Sequence, residues 1–390
     1  MEENKKNKIP NVPNLRFSAF NGEWICTSLS KISYSLKYGI GASAVDYDGQ
    51  HRYIRITDIS NYSDNERNFV SPSFLDDKAI LKEGDILLAR TGATVGDSFI
   101  FKSECEYNAY YAGFLIRARI RNNNPYFIYY QLKTDRYNKW VKIMSARSGQ
   151  PGINSEEYGS FAINLPSIQE QDKIALLLRK IDMRIDSQNK IIEKYESLIK
   201  QLNDDLFSRE INCKIGDFIQ ECSKRNKDGA ILNVLSVSNK NGFVKQSEQF
   251  EDKELASEDK TNYKIVQKGD FAFNPARINV GSIALLKKQE TGIVSPMYIC
   301  FKAKNIPSEV LESYFSSSSF KKEMNKRLEG SVRMCLTIDG MKNVRFHKPD
   351  EKEVNLLNHL TKLKDFVSIN KKILDLYNSQ KKYLLSNLFI

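Results

Sequence analysis

Two segments of the chain, one central and one C-terminal, place apolar residues at the spacing of a coiled coil. In the central segment, an a/d seam continues for five heptads and is flanked by charged residues. Its members are Ile174, Leu178, Ile181, Ile185, Gln188, Ile192, Tyr195, Ile199, Leu202 and Leu206. This pattern predicts a long helix that pairs with another helix.

The same pattern returns 182 positions later. Its members are Leu356, Leu360, Leu363, Val367, Asn370, Leu374, Tyr377, Lys381, Leu384 and Leu388. The polar seam residue keeps its place, as Gln188 in one copy and Asn370 in the other. Lys381 is a lysine at a d position and is expected to weaken packing locally. Two unrelated amphipathic helices are the alternative, but the shared polar position favours a duplication.

The segments before the two helices also correspond. LKEGDILLARTGATVG (Leu81–Gly96) aligns with VQKGDFAFNPARINVG (Val266–Gly281), each with Gly-Asp, an apolar run, a polar loop and Val-Gly. AGFLIRARI (Ala112–Ile120) likewise resembles MYICFKAKN (Met297–Asn305), and YIRITDIS (Tyr53–Ser60) resembles ILNVLSVS. Short apolar runs between Gly and Asn predict β-strands. Asn124-Pro125 and Pro307-Ser308 are predicted to begin helices.

We therefore predict an α+β protein in which two α/β domains are separated by two long helices that form an antiparallel coiled coil, with an internal pseudo-two-fold repeat. The predicted boundaries are 1–165 and 210–347 for the domains and 166–209 and 348–390 for the helices. A helix from Ile174 to Leu206 would span about 50 Å at about 1.5 Å per residue. The helices are expected to hold the domains apart.

The charge indicates what kind of partner the chain binds, and the cysteine content indicates the redox environment in which it works. The net charge of +11 and pI near 9.1 favour an anionic partner such as nucleic acid, although a lysine-rich proteome would give the same balance. Six cysteines occur without a C-x-x-C pair, which argues against zinc and disulfides and predicts a reducing, cytoplasmic location. No apolar run approaches the length of a membrane span.

Motifs for catalysis are sparse. The three histidines, His51, His347 and His359, lie in no metal-ligand spacing, and no P-loop sequence is present. Asn274-Pro275-Ala276-Arg277 partly matches the Asn-Pro-Pro-aromatic signature of DNA amino-methyltransferases but lacks the second proline and the aromatic residue. We therefore expect no catalytic group and no metal site in this chain.

Polar loops in both halves hold side chains suited to base edges and phosphates. The candidate DNA-binding residues are Arg90, Thr91, Thr94, Arg147, Ser148, Gln150, Asn274, Arg277, Asn279, Ser331 and Arg333. The alternative is that glycine and asparagine in these loops only form turns.

Three stretches resemble one family. Leu165-Pro166-Ser167-Ile168-Gln169-Glu170-Gln171, followed by the heptads, resembles the central region of type I restriction-modification specificity subunits. The ARTGATVG run and the SGQPGIN run at 148–154 resemble motifs of their target recognition domains. The similarity covers essentially the whole chain. The second half departs from it, because Lys348-Pro349 is followed by DEKE without the Glu-Gln pair.

The resemblance implies a non-catalytic subunit that reads a bipartite, asymmetric DNA sequence, one half-site per domain. Its partners would be two modification subunits, which use S-adenosylmethionine to methylate adenine, and restriction subunits, which use ATP and Mg²⁺ to translocate and cleave. The chain itself would bind no cofactor. The alternative is a coiled-coil adaptor that recruits proteins without reading bases. The recognised bases do not follow from the sequence.

Overall fold

The computed structural model describes residues 11–60, 69–103, 107–146, 149–239, 242–246, 260–330 and 334–390. The chain divides into two compact units. Unit 1 consists of Met1–Gln188 together with Ile373–Ile390, and unit 2 is Asn189–Lys372. Both long helices therefore contribute residues to each unit.

The globular part of unit 1 combines short strands and short helices. Its strands are β1 (Ile25–Ser28), β2 (Ser33–Tyr38), β3 (Ala44–Asp46), β4 (His51–Ile54), β5 (Val70–Pro72), β6 (Ile86–Ala89), β7 (Ser98–Ile100), β8 (Asn108–Tyr111), β9 (Leu115–Ile120) and β10 (Ala162–Leu165). Its short helices are α1 (Ile56–Ser60), α2 (Pro125–Gln131), α3 (Asp135–Met144) and α4 (Ser155–Ser160). The central sheet has the antiparallel order β2-β9-β6-β7.

Unit 1 also contains one segment of each long helix. The central helix α5 runs from Ile168 to Phe207, and Ile174 and Leu178 pack into the unit 1 core. The side chain of Asn124 accepts hydrogen bonds from the backbone N–H groups of Tyr126 and Phe127 at the start of α2, which confirms the predicted cap.

The globular part of unit 2 repeats this arrangement. Its strands are β11 (Cys213–Lys214), β12 (Ile219–Glu221), β13 (Leu235–Ser238), β14 (Gly242–Lys245), β15 (Lys264–Gln267), β16 (Asp270–Phe273), β17 (Ile283–Leu285), β18 (Thr291–Val294), β19 (Ile299–Ala303) and β20 (Arg345–Phe346). Its short helices are α6 (Ser308–Phe315), α7 (Ser318–Asn325) and α8 (Ile338–Lys342). The central sheet has the order β12-β19-β16-β17.

The two central sheets match strand for strand, which confirms the predicted duplication and the α+β class. In each unit the third strand in sheet order is deeply buried, because both of its faces are covered: β6 in unit 1 and β16 in unit 2. The peripheral strands differ. In unit 1, β4 pairs in parallel with β8; in unit 2, the corresponding contact is a single parallel bridge between Val234 and Ile293, and β13 pairs antiparallel with β14. The correspondence predicted for YIRITDIS therefore holds only in part, since α1 follows β4 directly.

The C-terminal helix α9 (Glu351–Asn387) pairs with α5 in the antiparallel sense inside each unit. In unit 1, Asp182 forms an ion pair with Lys381, and the guanidinium of Arg184 lies over the ring of Tyr377. The residue numbers rise along one helix as they fall along the other. In unit 2, the ring centroids of Tyr195 and Phe366 are 4.9 Å apart, and Leu206 shares a core cluster with Leu357 and Leu360.

Most of the predicted seam is turned away from solvent. Its buried members are Ile174, Leu178, Ile181, Gln188, Ile192, Leu206, Leu360, Val367, Asn370, Leu384 and Leu388, and its half-buried members are Ile185, Tyr195, Ile199, Leu202, Leu363, Leu374, Tyr377 and Lys381. Leu356 is an exception. Its side chain is 41% exposed, and Leu357 is buried instead at 1%. The first turns of α9 pack on the unit 2 globule, where Leu357 belongs to the core, so the heptad register does not apply there.

The lysine in the seam does not leave a defect. Lys381 Nζ lies 2.6 Å from Asp182 Oδ1, and the Tyr130 hydroxyl donates to Asp182 Oδ2 at 2.7 Å. Burial, together with the Asp182 charge, raises the pKa of Tyr130, so its hydroxyl remains a donor. The lysine therefore joins a polar cluster that connects α9 to α5 and α2 within unit 1.

Candidate nucleic-acid interface

A loop at the end of β6 carries the first group of candidate DNA-binding residues. The loop spans 90–94, and its backbone is held by a second segment: the carbonyl of Arg90 accepts from Ile153 N–H at 2.9 Å, and Gly92 N–H donates to the carbonyl of Pro151 at 3.2 Å. Two stretches that are distant in sequence thus lie side by side. A Cβ built on Gly92 would lie 3.4 Å from Gln150 Nε2, so the Gln150 side chain lies beside this loop.

Within this loop pair, Arg90, Thr91 and Thr94 are half-buried and Gln150 is exposed. The Arg90 guanidinium carbon lies 4.8 Å from the ring centroid of Tyr38. Arg147 and Ser148, also predicted to contact DNA, lie outside the described residues. The structure therefore brings together four of the six unit 1 candidates.

Unit 2 presents a corresponding loop at the end of β16. Asn274 Oδ1 accepts from the Ala276 N–H at 3.0 Å, which closes a local turn. The carbonyl of Pro275 accepts from the Leu336 N–H at 3.1 Å, so a second segment lies against this loop as well. Asn274 is half-buried, and Arg277 and Asn279 are exposed. Ser331 and Arg333 lie outside the described residues.

The two loops occupy the same place in the repeated sheets but carry different chemistry. Each follows the third strand in sheet order, contains a short 3₁₀ turn and ends on a glycine with left-handed φ: 89° at Gly96 and 91° at Gly281. The side chains between differ, with Arg-Thr at 90–91 in unit 1 and Asn-Pro at 274–275 in unit 2. The arrangement gives one scaffold with two sets of hydrogen-bonding groups.

The ionisable groups that could have suggested catalysis have local structural partners. His51 Nδ1 lies 2.7 Å from Asp48, and hydrogen bonds from His51 and from backbone N–H groups hold the pKa of Asp48 well below its usual range. His347 Nε2 lies 2.9 Å from Glu353, and His359 Nδ1 lies 2.8 Å from the carbonyl of Asn355. Among the described residues, no group of three or more His, Cys, Asp or Glu could hold a metal ion. None of the helices described there combines the length and the apolar composition that a membrane span requires.

Two features of the site were not predicted from the sequence. Tyr38 contacts Arg90 from a different strand, β2, and only its exposed position in an alternating strand could have drawn attention to it. In unit 2, Lys224, Arg225 and Lys227 line an open concavity of about 870 Å³. The sequence shows that three basic residues lie close together along the chain. It does not show that all three line the same concavity.

The chain is similar in sequence to specificity subunits of type I restriction enzymes. Residues 42–197 match the family model described as the type I restriction modification DNA specificity domain. The type I restriction enzyme MjaVIII specificity subunit of Methanocaldococcus jannaschii is 22% identical over 346 residues, which cover 79% of this chain and 78% of that protein.

Solved structures share the fold. The type I restriction-modification S subunit from M. genitalium superposes with a TM-score of 0.64 at 15% identity and covers 97% of this chain and 99% of its own. A chain from a structural study of type I R-M complex assembly and conformational transition gives a TM-score of 0.50 at 12% identity, covering 94% and 97%. This chain therefore carries a type I restriction modification DNA specificity domain at 42–197, and over most of its length it is similar to a specificity subunit of a type I restriction enzyme.

Proposed function

We propose that this chain recognises a bipartite, asymmetric sequence in double-stranded DNA, with one half-site read by each unit. The observation that carries the proposal is the repeated loop pair at the end of β6 and of β16. An identical pair would read the same bases twice. Because one loop presents Arg-Thr and the other Asn-Pro-Ala-Arg, the two half-sites are expected to differ.

The side chains in these loops suit direct readout. Arginine can donate two hydrogen bonds to O6 and N7 of guanine, and asparagine can pair with N6 and N7 of adenine in the major groove. Threonine offers a hydroxyl for either kind of base and a methyl group for thymine. The net charge of +11 and the basic concavity of unit 2 suit the phosphate backbone. The chain would thus combine base contacts in the loops with general attraction to DNA.

Catalysis and cofactors are assigned to partner chains in this proposal. Two modification subunits that use S-adenosylmethionine would methylate adenine, and restriction subunits that use ATP and Mg²⁺ would cleave. The long helices support docking of a partner chain, because each exposes apolar side chains to solvent. These side chains are Leu176, Met183, Ile191 and Leu198 on α5 and Ile369, Leu376 and Tyr383 on α9.

The test is selection of bound sequences from a randomised DNA duplex pool, with the full chain alone and with its modification subunits. We expect two blocks of specified bases separated by unread positions. Arg90→Ala should relax the block read by unit 1 and Arg277→Ala the other, with a lost bidentate contact costing about 1–3 kcal/mol. Arg121→Ala, an exposed arginine whose guanidinium donates to the carbonyl of Lys31, is the control for loss of one positive charge.

The proposal predicts binding that weakens steeply with salt, since counterions are released when phosphates are neutralised. Binding without any base preference, or no salt-dependent binding to duplex DNA, would contradict it. A coiled-coil adaptor that does not read bases would show no salt-dependent binding to duplex DNA. The similarity to type I specificity subunits favours the DNA-reading function over the adaptor.

A further inference from the structure

We propose that Tyr38 positions the guanidinium of Arg90 for a bidentate contact with a guanine, so that the half-site read by unit 1 contains a guanine on which Arg90 depends. Tyr38 is a positioning residue here, and Arg90 makes the base contact. The inference rests on the proposed function, because it needs the loop at the end of β6 to face DNA.

Tyr38 connects the two segments of the unit 1 loop pair. Its ring lies against the Arg90 guanidinium, with 4.8 Å between the guanidinium carbon and the ring centroid. Its hydroxyl accepts a hydrogen bond from the Ser155 N–H at 3.1 Å, where α4 begins. The phenol is 43% exposed, so the surface that it forms with Arg90 is open to a ligand. One side chain therefore sets the position of the arginine relative to the segment that carries Gln150.

Arg90 differs from three other arginines of unit 1, which are paired with carboxylates. Arg16 is paired with Glu170, Arg55 with Asp58 and Arg119 with Asp85, each through guanidinium nitrogens within 3.0 Å of a carboxylate oxygen. These charges are already neutralised inside the domain. In the part of the chain that the structure describes, Arg90 makes no ion pair, and the ring of Tyr38 is its aromatic contact.

The geometry leaves the donors of Arg90 available. Among the described residues, the Arg90 guanidinium has no hydrogen-bond acceptor or ion-pair partner, so its N–H donors are not occupied within the chain. The contact with the ring also reduces the number of rotamers that the free side chain samples, which lowers the entropy lost on binding. Guanine offers two adjacent acceptors, O6 and N7, that match two parallel N–H donors, and this is the commonest specific arginine contact in the major groove.

The second unit lacks this arrangement in its described residues. Arg277 is exposed and no aromatic ring lies against its guanidinium. The predicted dependence on a stacked tyrosine is therefore confined to one half-site, which makes the other half-site an internal control.

The experiment is selection from a randomised duplex pool with the full chain in complex with its modification subunits, followed by affinity measurements on the selected site. Tyr38→Leu removes the ring, and Tyr38→Phe keeps it but removes the hydroxyl. Tyr34→Leu is the matched control, because Tyr34 lies on the same strand, is 68% exposed and has no guanidinium of a described residue against its ring. Arg90→Ala identifies the position that depends on the arginine.

We expect Arg90→Ala to abolish preference for guanine at one position of the unit 1 half-site. Tyr38→Leu should reduce that preference about tenfold, within the range expected for a bidentate base contact. Tyr38→Phe keeps the ring beside Arg90 but loses the hydrogen bond from Ser155 N–H, so it should retain more of the preference than Tyr38→Leu, and Tyr34→Leu should match wild type. All variants should keep the bases specified by unit 2 and the remaining positions of the unit 1 half-site, which shows that they are folded.

Three results would overturn the inference. Arg90→Ala could weaken all sequences alike, which would make Arg90 a phosphate contact. The dependent position could specify a base other than guanine. Tyr38→Leu could leave the guanine preference intact, which would remove the positioning role. If wild type selects no sequence at all, the proposed function fails first, and the two failures are thereby distinguished.

Discussion

At the scale of single residues, the glycines that end the loops after β6 and β16 share a backbone conformation but not an environment. Gly96 and Gly281 have φ of 89° and 91°, a region that L side chains rarely adopt. A Cβ on Gly96 would lie 2.4 Å from Val141 Cγ1, whereas a Cβ on Gly281 would lie an ordinary 3.7 Å from Asn239 Cβ. The repeat has kept the turn in both copies and packed a helix against only one of them.

This difference predicts unequal costs for the same substitution. Gly281→Ala should lower the free energy of unfolding by about 1–2 kcal/mol from backbone strain alone. Gly96→Ala should cost about 1–3 kcal/mol more, because the methyl group collides with α3. Urea denaturation of the full chain measures both.

Val141→Ala is the control that separates strain from collision. In the Gly96→Ala background it should recover part of the additional cost, because it removes the methyl groups that the new Cβ meets. Equal costs for the two glycines, or no recovery, would show that contact with Val141 does not determine the effect.

At the scale of elements, the long helices show where a heptad pattern predicts burial correctly and where it does not. The pattern is reliable where helix packs on helix, as at Ile181 and Val367, both buried. It fails at Leu356, where α9 packs on a globule whose shape the pattern does not contain. The heptad pattern also does not predict the partner of Lys381. In the sequence, Asp182 is one of many charged residues that flank the seam, and only the pairing of the two helices brings it to Lys381.

The register at the start of α9 gives a matched pair of variants. Leu357→Ala should lower the free energy of unfolding by about 2–5 kcal/mol, because it leaves a cavity in the unit 2 core. Leu356→Ala, one residue away in the same helix, should change it by no more than about 0.5 kcal/mol, since the side chain is exposed. Alanine favours helix at both positions, so propensity does not explain a difference.

Chemical or thermal denaturation of the two variants, monitored by circular dichroism, makes the comparison. A larger loss for Leu356→Ala would restore the register that the heptads predicted and contradict the packing described for α9.

The loops after β6 and β16 show the same difference between what a sequence pattern predicts and what it does not. Their residues follow from the repeat, because LARTG and FNPAR occupy equivalent positions after Gly-Asp. That Gln150 lies beside Gly92, and that Tyr38 lies against Arg90, depends on long-range strand and loop contacts. Such contacts join residues with no periodic relation, so no local pattern encodes them.

At the scale of the whole molecule, the proposed division of labour predicts an inactive isolated chain. Incubation of the purified protein with DNA, labelled S-adenosylmethionine, Mg²⁺ and ATP should give neither methylation nor cleavage. Addition of modification subunits should restore sequence-dependent adenine methylation. The control is the same mixture prepared with a chain that carries both Arg90→Ala and Arg277→Ala. This variant should still assemble with the modification subunits, but the complex should methylate the selected site poorly. Methylation or cleavage by the chain alone that persists through repurification would contradict the assignment.

The division into units has a consequence for biosynthesis. Unit 2 is continuous from Asn189 to Lys372, but unit 1 needs residues from both ends of the chain. The ring of Phe389 packs against Trp24 and Phe127, and the carbonyl of Ile390 accepts from Asn164 and Arg136. The part of unit 1 that leaves the ribosome first therefore waits, with an apolar surface uncovered, until the segment from Ile373 onward has been translated. Unit 2 can finish folding earlier although it is made later, so the chaperone requirement of a nascent chain should fall on its N-terminal half.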